Sequence, residues 1–227
     1  MFSIVIPLYN EEKNIVNLLN EIDNLSDLYK NFEIILVDDC SNDNTLKVIS
    51  SIEDNKIKIL RNTKNYGQSY SIDKGVSNSF NKIIVTLDGD GQNDPSDIPK
   101  LMDFYLSNNE IKLIGGIRKK RKDSFIKIVS SRLANFIRSR ILNDDCVDTG
   151  CSLKIFDKEV FMSLAYFDGI HRFLPALFKG YGYKTSFINV NHRERKYGIS
   201  KYGTINRLIR GIRDMIKVRN AIKKRNK

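Results

Sequence analysis

The chain has 227 residues, of which 41% are hydrophobic and 29% are charged, and its formal net charge is +11. A chain of this length and composition can bury a full core, and it favours one large α/β domain or two small ones. No apolar run approaches the roughly 18 residues that a membrane-spanning helix needs, so any membrane contact is expected to be peripheral.

The excess of positive charge lies in one segment of the chain. Residues 193–227 contain 13 lysines and arginines against two acidic residues, whereas residues 1–192 contain 25 of each sign. A uniformly basic protein would suggest nucleic acid as a partner. A neutral body with a basic tail instead predicts a local contact with an anionic membrane surface, with RNA as the less favoured alternative, so nucleic acid is not among the expected partners.

The cysteines and the N-terminal residues bear on the cellular compartment. Cys40, Cys146 and Cys151 are odd in number and show no pairing pattern, which is typical of a reducing compartment. No positively charged leader precedes an apolar stretch, because residues 3–8 already have the pattern of a strand. The expected location is the cytoplasm, with peripheral binding at the cytoplasmic face of a membrane.

Four short apolar runs, rich in β-branched residues, predict strands that are buried on both faces. They comprise residues 3–8, 32–37, 57–60 and 82–87. After the first run, an apolar stripe predicts a helix whose N-cap is Asn10, with Glu11 and Glu12 in its first turn. The stripe consists of Ile15, Leu18, Leu19 and Ile22. A second helix is predicted over residues 46–52, after a capped start at residues 41–44.

Strands that alternate with helices in this way predict a parallel sheet with helices on both faces. Ligands of such sheets bind beyond the carboxyl ends of the strands. Three of the predicted strands end in polar or acidic residues, at 7–11, 38–43 and 88–92. These three strand exits are the expected site.

The exit after residue 87 carries two carboxylates, Asp88 and Asp90, separated by a glycine. Such a pair can offer oxygen ligands to Mg²⁺ or Mn²⁺ and leave other positions for donor phosphates, and Gln92 adds an amide oxygen. The alternative is a polar turn in which each aspartate accepts backbone N–H bonds.

The preceding exit, with Asp38 and Asp39, brings further negative charge that needs a cation or hydrogen-bond donors to offset it. The base and ribose of a nucleotide would supply such donors to Asp39, and Tyr9 offers a ring for stacking on the base. N-capping by Ser41 or Asp43 is expected as well, and ordinary packing at the strand edge is the alternative for Tyr9.

Taken together, these residues resemble the family-2 glycosyltransferases of GT-A fold, in particular the dolichyl-phosphate and polyprenyl-phosphate mannosyl- or glucosyltransferases. The resemblance runs in the family's order across roughly residues 2–203. It is carried by residues 5–12 (VIPLYNEE), 37–45 (VDDCSNDNT), 87–92 (LDGDGQ), 115–118 (GGIR), 148–154 (DTGCSLK) and 195–201 (RKYGISK). It implies a Rossmann-like, mostly parallel sheet flanked by helices over residues 1–203, followed by a basic amphipathic tail helix over residues 204–227.

The resemblance also implies roles for individual residues. Asp90 and Gln92 would bind the divalent metal, Mg²⁺ or Mn²⁺, on the diphosphate. Lys154 stands where relatives often have arginine, which keeps the charge but gives up bidentate geometry. The residues implied for the nucleoside are Pro7, Tyr9, Glu11, Val37 and Asp39, with Asp88 and Gly89 beside it, and the implied phosphate-binding cations are Arg118, Arg195 and Lys201.

The chemistry of transfer is consistent with this set. A metal and two or three cations would stabilise a departing nucleoside diphosphate. An acceptor that is already a phosphate is anionic at neutral pH and needs no strong general base, so binding and orientation become the main task. His171 and His192 are therefore expected to be structural, with phosphate contact as the alternative for His192. Asp148 would act as a base only for a hydroxyl acceptor, and helix capping or pairing with arginine is its alternative.

Three functions follow from these observations. The first is inverting transfer of a hexose, mannose or glucose, from GDP-mannose, UDP-glucose or a related donor to a polyprenyl phosphate, either dolichyl or undecaprenyl. The second keeps the fold and moves the sugar to a hydroxyl of a growing glycan. The third, from another class, is a non-catalytic module that binds nucleotide or RNA, although the tail has no aromatic residue after Tyr202.

Two stretches are candidates for contact with a membrane. Residues 204–222 carry apolar residues at three- and four-residue spacing with arginines and lysines elsewhere on the helix, the pattern of a basic amphipathic helix. The alternative is a helix docked on the core with a solvated charged face. Residues 125–142 form a second amphipathic stretch. Many relatives continue into membrane-spanning helices, whereas this sequence ends at Lys227, which leaves surface binding alone or a separate membrane-spanning partner.

Overall fold

The computed structural model describes residues 1–119, 138–195 and 204–225, with side chains described outside 204–210 and Ile212. The predicted phosphate-binding residue Lys201 and most of the amphipathic stretch 125–142 lie outside the described residues. Residues 196–200, which belong to one of the family-like segments, do so as well. The expectations for these residues stay predictions.

A seven-stranded sheet forms the centre of the molecule, with the strand order β3-β2-β1-β4-β6-β5-β7. Its strands are β1 (Phe2–Leu8), β2 (Phe32–Asp38), β3 (Ile57–Arg61), β4 (Ile83–Thr86), β5 (Ile111–Arg118), β6 (Lys154–Asp157) and β7 (Lys184–Val190). The four strands predicted from apolar runs are confirmed, each within two residues of its predicted bounds. Continuous apolar runs of this kind predict strands of a parallel sheet well, because helices cover both faces of such a sheet and its strands are buried on both sides.

Helices lie between the strands and after the last one. The described residues form the α-helices α1 (Ile15–Asp23), α2 (Thr45–Ser50), α3 (Gln68–Ser77), α4 (Ile98–Leu106), α5 (Lys158–Met162), α6 (Leu174–Gly180) and the tail helix α7 (Thr204–Arg225), and residues 138–142 are helical as well. Within the same described ranges, 3₁₀ helices occupy Asn24–Asp27, Pro95–Asp97 and Ile170–Arg172. No helix in the described part of the chain is both long enough and apolar enough to cross a membrane.

The strands β3, β2, β1 and β4 are parallel, so their carboxyl ends meet at one edge of the sheet. Strand β6 runs antiparallel to both β4 and β5, and β7 returns parallel to β5. In this register Lys154 of β6 pairs with Thr86 of β4. The second half of the sheet therefore brings the start of β6 to the edge where β4 ends.

The predicted N-cap at Asn10 is wrong. Helix α1 begins at Ile15, and no acidic residue lies in its first turn. Asn10 instead has a φ of 56°, its amide N–H donates to Ser41 Oγ (3.0 Å), and its side chain accepts from Asn42 N (2.8 Å). These bonds join the exit of β1 to the exit of β2. Asn10 stabilises a contact between two strand exits rather than the start of a helix.

The observed start of α2 also differs from the predicted one. The N-cap of α2 is Asn44, which makes no side-chain capping bond, so the predicted N-cap at Ser41 or Asp43 is wrong. Asp43, one residue earlier, does accept from the backbone N–H of Thr45 through its Oδ1 (2.9 Å). Ser41 does not cap this helix, because its Oγ accepts from Asn10 N. Glu12, expected in the first turn of α1, accepts from Asn44 N through its carboxylate (2.9 Å). The three polar residues thus link the first two strand exits.

The tail helix α7 packs against α6 by its apolar side. Val218 is fully buried, and Met215, Ala221 and Ile222 pack against the same core cluster. A Cβ atom on Gly180 would overlap the side chain of Ile222, so the two helices approach closely. The described part of the tail is therefore an amphipathic helix docked on the body. The side chains exposed on it include Arg213, Lys217, Arg219, Lys223 and Lys224.

Candidate active site

A cleft lies at the carboxyl ends of the parallel strands, where the sequence predicted a site. Eight of the predicted residues line it together. They are Pro7, Tyr9, Glu11, Asp39, Asp88, Gly89, Asp90 and Arg195. The rule that places ligands beyond the ends of parallel strands explains why residues so distant in sequence meet here. A Cβ atom on Gly89 would overlap Leu8 Cδ2, so the close approach of the β1 and β4 exits requires a glycine at this position.

The exit of β3, in addition to the three predicted exits, contributes lining residues that were not predicted from the sequence. Asn65, Gly67, Gln68 and Ser71 follow β3 and line the same cleft. A signal was present, because residues 57–60 were predicted as a strand of the same parallel sheet. Its exit, residues 62–69, is polar and contains a glycine. It carries no carboxylate, and so it lacks the metal-ligand pattern of the exit after β4.

Asp39 organises the loop after β3. Its Oδ1 accepts from Asn62 Nδ2 (2.7 Å) and Tyr66 N (2.9 Å), and its Oδ2 accepts from Gly67 N (2.8 Å). The side chain is buried, so these donors satisfy a carboxylate that would otherwise be costly to desolvate. Val37, two residues earlier, points into the core and does not line the cleft.

Asp88 and Asp90 concentrate negative charge at the exit of β4. Gln68 Nε2 donates to Asp88 Oδ1 (2.7 Å). Burial, and then the nearby charge of Asp90, raise the pKa of Asp88 to about 6, although Lys154 and Arg118 act in the opposite direction. Two carboxylates that are close together and partly desolvated favour a cation between them.

Asp90 is held from two sides. Its Oδ1 accepts from Gln92 N (3.0 Å), which is the turn geometry given as the alternative to metal binding. Its Oδ2 is paired with Arg195, whose side chain reaches the cleft from the segment after β7. Asp90 is buried, and Arg195 supplies a positive charge beside it. One carboxylate oxygen of Asp90 therefore stabilises the turn, and the other faces the positive charge of Arg195.

These carboxylates fit a divalent cation of the Mg²⁺ or Mn²⁺ type, because hard oxygen ligands suit both ions. The described residues contain no cluster of three or more histidine, cysteine, aspartate or glutamate side chains that could hold a metal alone. Such a cluster is not needed where substrate phosphates complete the coordination. Gln92 does not line the cleft, and its amide lies 3.3 Å from the carbonyl oxygen of Arg193.

The predicted phosphate-binding cations differ in whether they reach the cleft. Arg195 lines the cleft, whereas Arg118 and Lys154 do not. Lys154 is buried, and its Nζ donates to the carbonyl oxygen of Cys151. The Arg118 side chain is bound to Asp148 through two hydrogen bonds, from Nε to Oδ2 (2.8 Å) and from Nη2 to Oδ1 (2.7 Å), and the backbone N–H of Arg118 also donates to Oδ2 (3.1 Å). Of the alternatives for Asp148, the structure shows the pairing with arginine.

Both histidines lie outside the lining of the cleft. His171 Nδ1 is 2.7 Å from Ser69 Oγ. Burial, with the nearby charges of Arg172 and Lys154, lowers the pKa of His171 to about 3. His171 is therefore neutral at physiological pH, as suits a structural role. His192 forms an isolated β-bridge with Asn93 next to Gln92.

Comparison with known proteins gives a family and a set of relatives. Residues 3–165 match the family described as Glycosyl transferase family 2. The chain is 35% identical over 223 residues to a dodecaprenyl-phosphate galacturonate synthase of Rhizobium johnstonii, covering 95% of this chain and 65% of the relative. It is 33% identical over 204 residues to an undecaprenyl-phosphate 4-deoxy-4-formamido-L-arabinose transferase of Proteus mirabilis, covering 88% and 62%. The chain thus spans less than two thirds of the length of these two relatives.

Solved structures share the fold. A glucosyl-3-phosphoglycerate synthase of Mycobacterium tuberculosis, in complex with Mn²⁺, UDP and phosphoglyceric acid, matches with a TM-score of 0.72 at 19% identity, covering 98% of this chain and 78% of that one. The same enzyme with Mn²⁺, UDP and glucosyl-3-phosphoglycerate gives a TM-score of 0.73 at 18% identity, covering 98% and 79%. The predicted fold, a mostly parallel sheet of GT-A type flanked by helices, is confirmed.

Proposed function

The chain belongs to glycosyltransferase family 2, and on that premise we propose that it transfers a sugar from a nucleoside-diphosphate sugar to a polyprenyl phosphate. The observation that carries the proposal is the cleft in which Asp88, Asp90 and Arg195 face the same space as Asp39 and Tyr9. A carboxylate pair with a bound divalent cation and a nearby arginine suits a diphosphate, and a ring with a fixed acidic side chain suits a nucleoside.

The proposed mechanism divides the work among these residues. A Mg²⁺ or Mn²⁺ ion on Asp88 and Asp90 would neutralise charge on the departing diphosphate. Arg195, already paired with Asp90, adds a positive charge beside it. Tyr9 would stack on the base. Asp39, which already orders the loop after β3, would accept hydrogen bonds from the nucleoside. Gln92, Arg118, Lys154 and Lys201 keep the roles that the resemblance implies, as part of the proposal.

The acceptor is proposed to be a phosphate because the residue predicted as the base for a hydroxyl acceptor is already held by an arginine. Asp148 was the candidate base, and both of its carboxylate oxygens accept from Arg118. A phosphate oxygen is already ionised at neutral pH and needs no base. Both relatives are named for polyprenyl phosphates, a dodecaprenyl and an undecaprenyl one. Inversion at the sugar is proposed on the family resemblance.

The donor is proposed at the level of its class. The sequence suggested GDP-mannose or UDP-glucose, whereas the two relatives are named for galacturonate and for a formamido-arabinose. A donor panel therefore includes mannose, glucose and uronic acid donors on both bases. Thermal shift with and without Mn²⁺ ranks them, since a ligand that binds the folded state raises its melting temperature.

The test of the function is formation of lipid-linked sugar. Purified protein is incubated with Mn²⁺, labelled donors from the panel, and undecaprenyl or dolichyl phosphate in detergent. We expect label in the organic phase, its loss with a chelator, and its loss in the Asp90→Asn variant. Label on a glycan hydroxyl acceptor instead would overturn the acceptor assignment. Tight RNA binding without metal-dependent nucleotide binding would overturn the assignment as an enzyme.

Contact with a membrane is part of the proposal. The outward side of α7 presents Arg213, Lys217, Arg219, Lys223 and Lys224 to solvent. Each cation near an anionic leaflet contributes roughly 1 kcal/mol, so several together give reversible binding. Because the apolar side of α7 packs on the body, we propose that its charges, rather than that side, meet the cytoplasmic face. A separate membrane-spanning partner would bind in addition, and co-purification from membranes tests it.

A further inference from the structure

Three consecutive residues at the start of α3 connect the cleft to the tail helix. Gly67 N donates to Asp39 Oδ2 (2.8 Å), and Gln68 Nε2 donates to Asp88 Oδ1 (2.7 Å). The next residue, Ser69, contacts the turn on which the tail helix rests. We propose that the tail helix positions the cleft through this connection, with Ser69 and Asp214 as positioning residues for donor binding. The proposal rests on the proposed function for the identity of the ligand.

The cleft side of the connection is short and buried. Ser69 is fully buried, and its Oγ accepts from the backbone N–H of Gly169 (2.8 Å). The same Oγ lies 2.7 Å from His171 Nδ1. Ser69 therefore ties the first turn of α3 to the turn at residues 169–172. A shift of this turn would therefore move Gln68 and disturb the hydrogen bond that Gln68 donates to Asp88.

The tail side of the connection is equally close. A Cβ atom on Gly169 would lie 2.6 Å from Asp214 Oδ2 and 2.9 Å from Arg172 Nη2, so the turn is held tightly against the tail helix. Arg172 Nη2 donates to Asp214 Oδ2 (2.9 Å). The turn is thus packed between α3 on one side and Asp214 of α7 on the other.

Asp214 is an unusual residue for its position. It is the one acidic residue in the 22 residues of α7, and it is only 5% exposed. A buried carboxylate is costly unless it is paired, and here Arg172 and Lys217 pair with it. Lys217 is half exposed and belongs to the outward cationic side of the helix. The same carboxylate therefore contacts the turn below the cleft and the surface that we propose meets the membrane.

The energetic consequence is a coupling between two sites. Residues that belong to one hydrogen-bonded network have non-additive effects, whereas distant residues that are merely structural have additive ones. Neither Asp214 nor Ser69 lines the cleft, so in this proposal both act through Gly169 and Gln68. Their replacement should weaken nucleotide binding beyond what a loss of overall stability explains.

The experiment is a double-mutant cycle measured on nucleotide affinity. The dissociation constants of UDP and of GDP in Mn²⁺ are measured by calorimetry for the wild-type chain, Ser69→Ala, Asp214→Asn and the double variant. We expect each single variant to raise the Kd of the bound nucleotide about fivefold, and the double variant to raise it no further. Asp103→Asn, an exposed aspartate on α4, is the matched control and should leave the Kd unchanged.

The possible outcomes separate the two proposals. Unchanged Kd values with a lowered Tm, or additive effects in the double variant, would overturn the positioning role. Failure of the wild-type chain to bind either nucleotide with Mn²⁺ would overturn the proposed function instead. Should Asp214→Asn not fold, Arg172→Lys replaces it, because it keeps the charge and loses the guanidinium geometry. It is expected to raise the Kd in the same way, and an unchanged Kd for it would also overturn the positioning role.

Discussion

Arg118 binds both carboxylate oxygens of Asp148, with Nε 2.8 Å from Oδ2 and Nη2 2.7 Å from Oδ1. The two side chains are 13% and 8% exposed, so the pair is largely desolvated. Bidentate pairs of this kind are among the stronger hydrogen-bonded contacts in proteins. The pairing gives Asp148 a structural partner, and the two acceptor hypotheses predict different effects of replacing it.

Replacement of Asp148 by Asn tests this distinction. Loss of one partner leaves Arg118 buried and unpaired, so we expect a destabilisation of about 3 kcal/mol in chemical unfolding. Transfer to polyprenyl phosphate should persist at about a tenth of the wild-type rate or more, because no base is needed. A loss of about a thousandfold in kcat without loss of stability would instead identify Asp148 as a general base.

Replacement of Asp90 by Asn is expected to remove metal-dependent activity. Asp90 lines the cleft and pairs with Arg195, so the variant loses a metal ligand while keeping its volume. We expect kcat to fall by roughly a thousandfold, about 4 kcal/mol in transition-state stabilisation. The increase in Tm with Mn²⁺ and donor should disappear. Retained Mn²⁺ dependence in this variant would contradict the assignment.

The pKa of Asp88 predicts a dependence on pH. Since it is raised to about 6 in the folded protein, the ionised carboxylate destabilises the metal-free fold. Stability should fall as pH rises from about 4, the unfolded pKa, to about 6, and the full penalty is present above that. Asp88→Asn should therefore raise the metal-free Tm at pH 7.5 and leave it nearly unchanged at pH 4.5. A lower Tm for Asp88→Asn at pH 7.5 would contradict this assignment.

The affinity for Mn²⁺ should depend on the ionisation of the same carboxyl group, Asp88. Mn²⁺ needs ionised ligands, so the Tm increase that it causes in the wild-type chain is expected at pH 7.5 and lost as pH falls through about 6. Differential scanning fluorimetry across this range measures it. A Tm increase that is the same at pH 5 and pH 7.5 would rule out Asp88 as the titrating ligand.

Two residues of the tail helix form a matched pair for testing its docking. Val218 is fully buried against the body, and Ile216 is 58% exposed. Val218→Asp buries an unpaired charge and should destabilise the protein by several kcal/mol. Ile216→Asp should leave Tm within a few degrees and weaken sedimentation with anionic vesicles. Equal effects of the two variants on Tm would contradict the docked arrangement.

Gly89 tests the close approach of two strand exits. A Cβ atom there would overlap Leu8 Cδ2, so Gly89→Ala should cost about 1–3 kcal/mol and weaken donor binding. Gly211 on α7 is the control, because no described atom lies within 4 Å of a Cβ placed there. Gly211→Ala should be neutral or stabilise the helix by up to about 1 kcal/mol. Chemical unfolding of both variants decides the comparison.

The division into a domain over residues 1–203 and a tail over residues 204–227 stays a prediction. The packing of Val218 and Ile222 against the body indicates that a chain ending at residue 203 would expose apolar surface and lose stability. Each fully buried side chain of this size contributes about 1.5–3 kcal/mol. A truncated chain with unchanged Tm would support an independent domain.

The comparison of Asn10 with Asp90 illustrates what local sequence can predict. Asp90 lies in the cleft because it closely follows a strand whose apolar run is unambiguous, and the strand's end fixes the position of the next residues. Asn10 was assigned as a helix cap because its neighbours fit a cap pattern. Its actual hydrogen bonds go to Ser41 and Asn42, more than 30 residues away, and no local pattern contains them.

The four parallel strands, the three acidic or polar exits and the basic tail helix are predictable from sequence, because these features depend on the order of apolar and polar residues within short segments. Which residues meet depends on the packing of the whole fold. This packing brought Gln68 to Asp88, paired Arg118 with Asp148, ran β6 antiparallel to its neighbours, and docked α7 on the body. Such contacts join distant segments, and their geometry is set by packing that no single segment specifies.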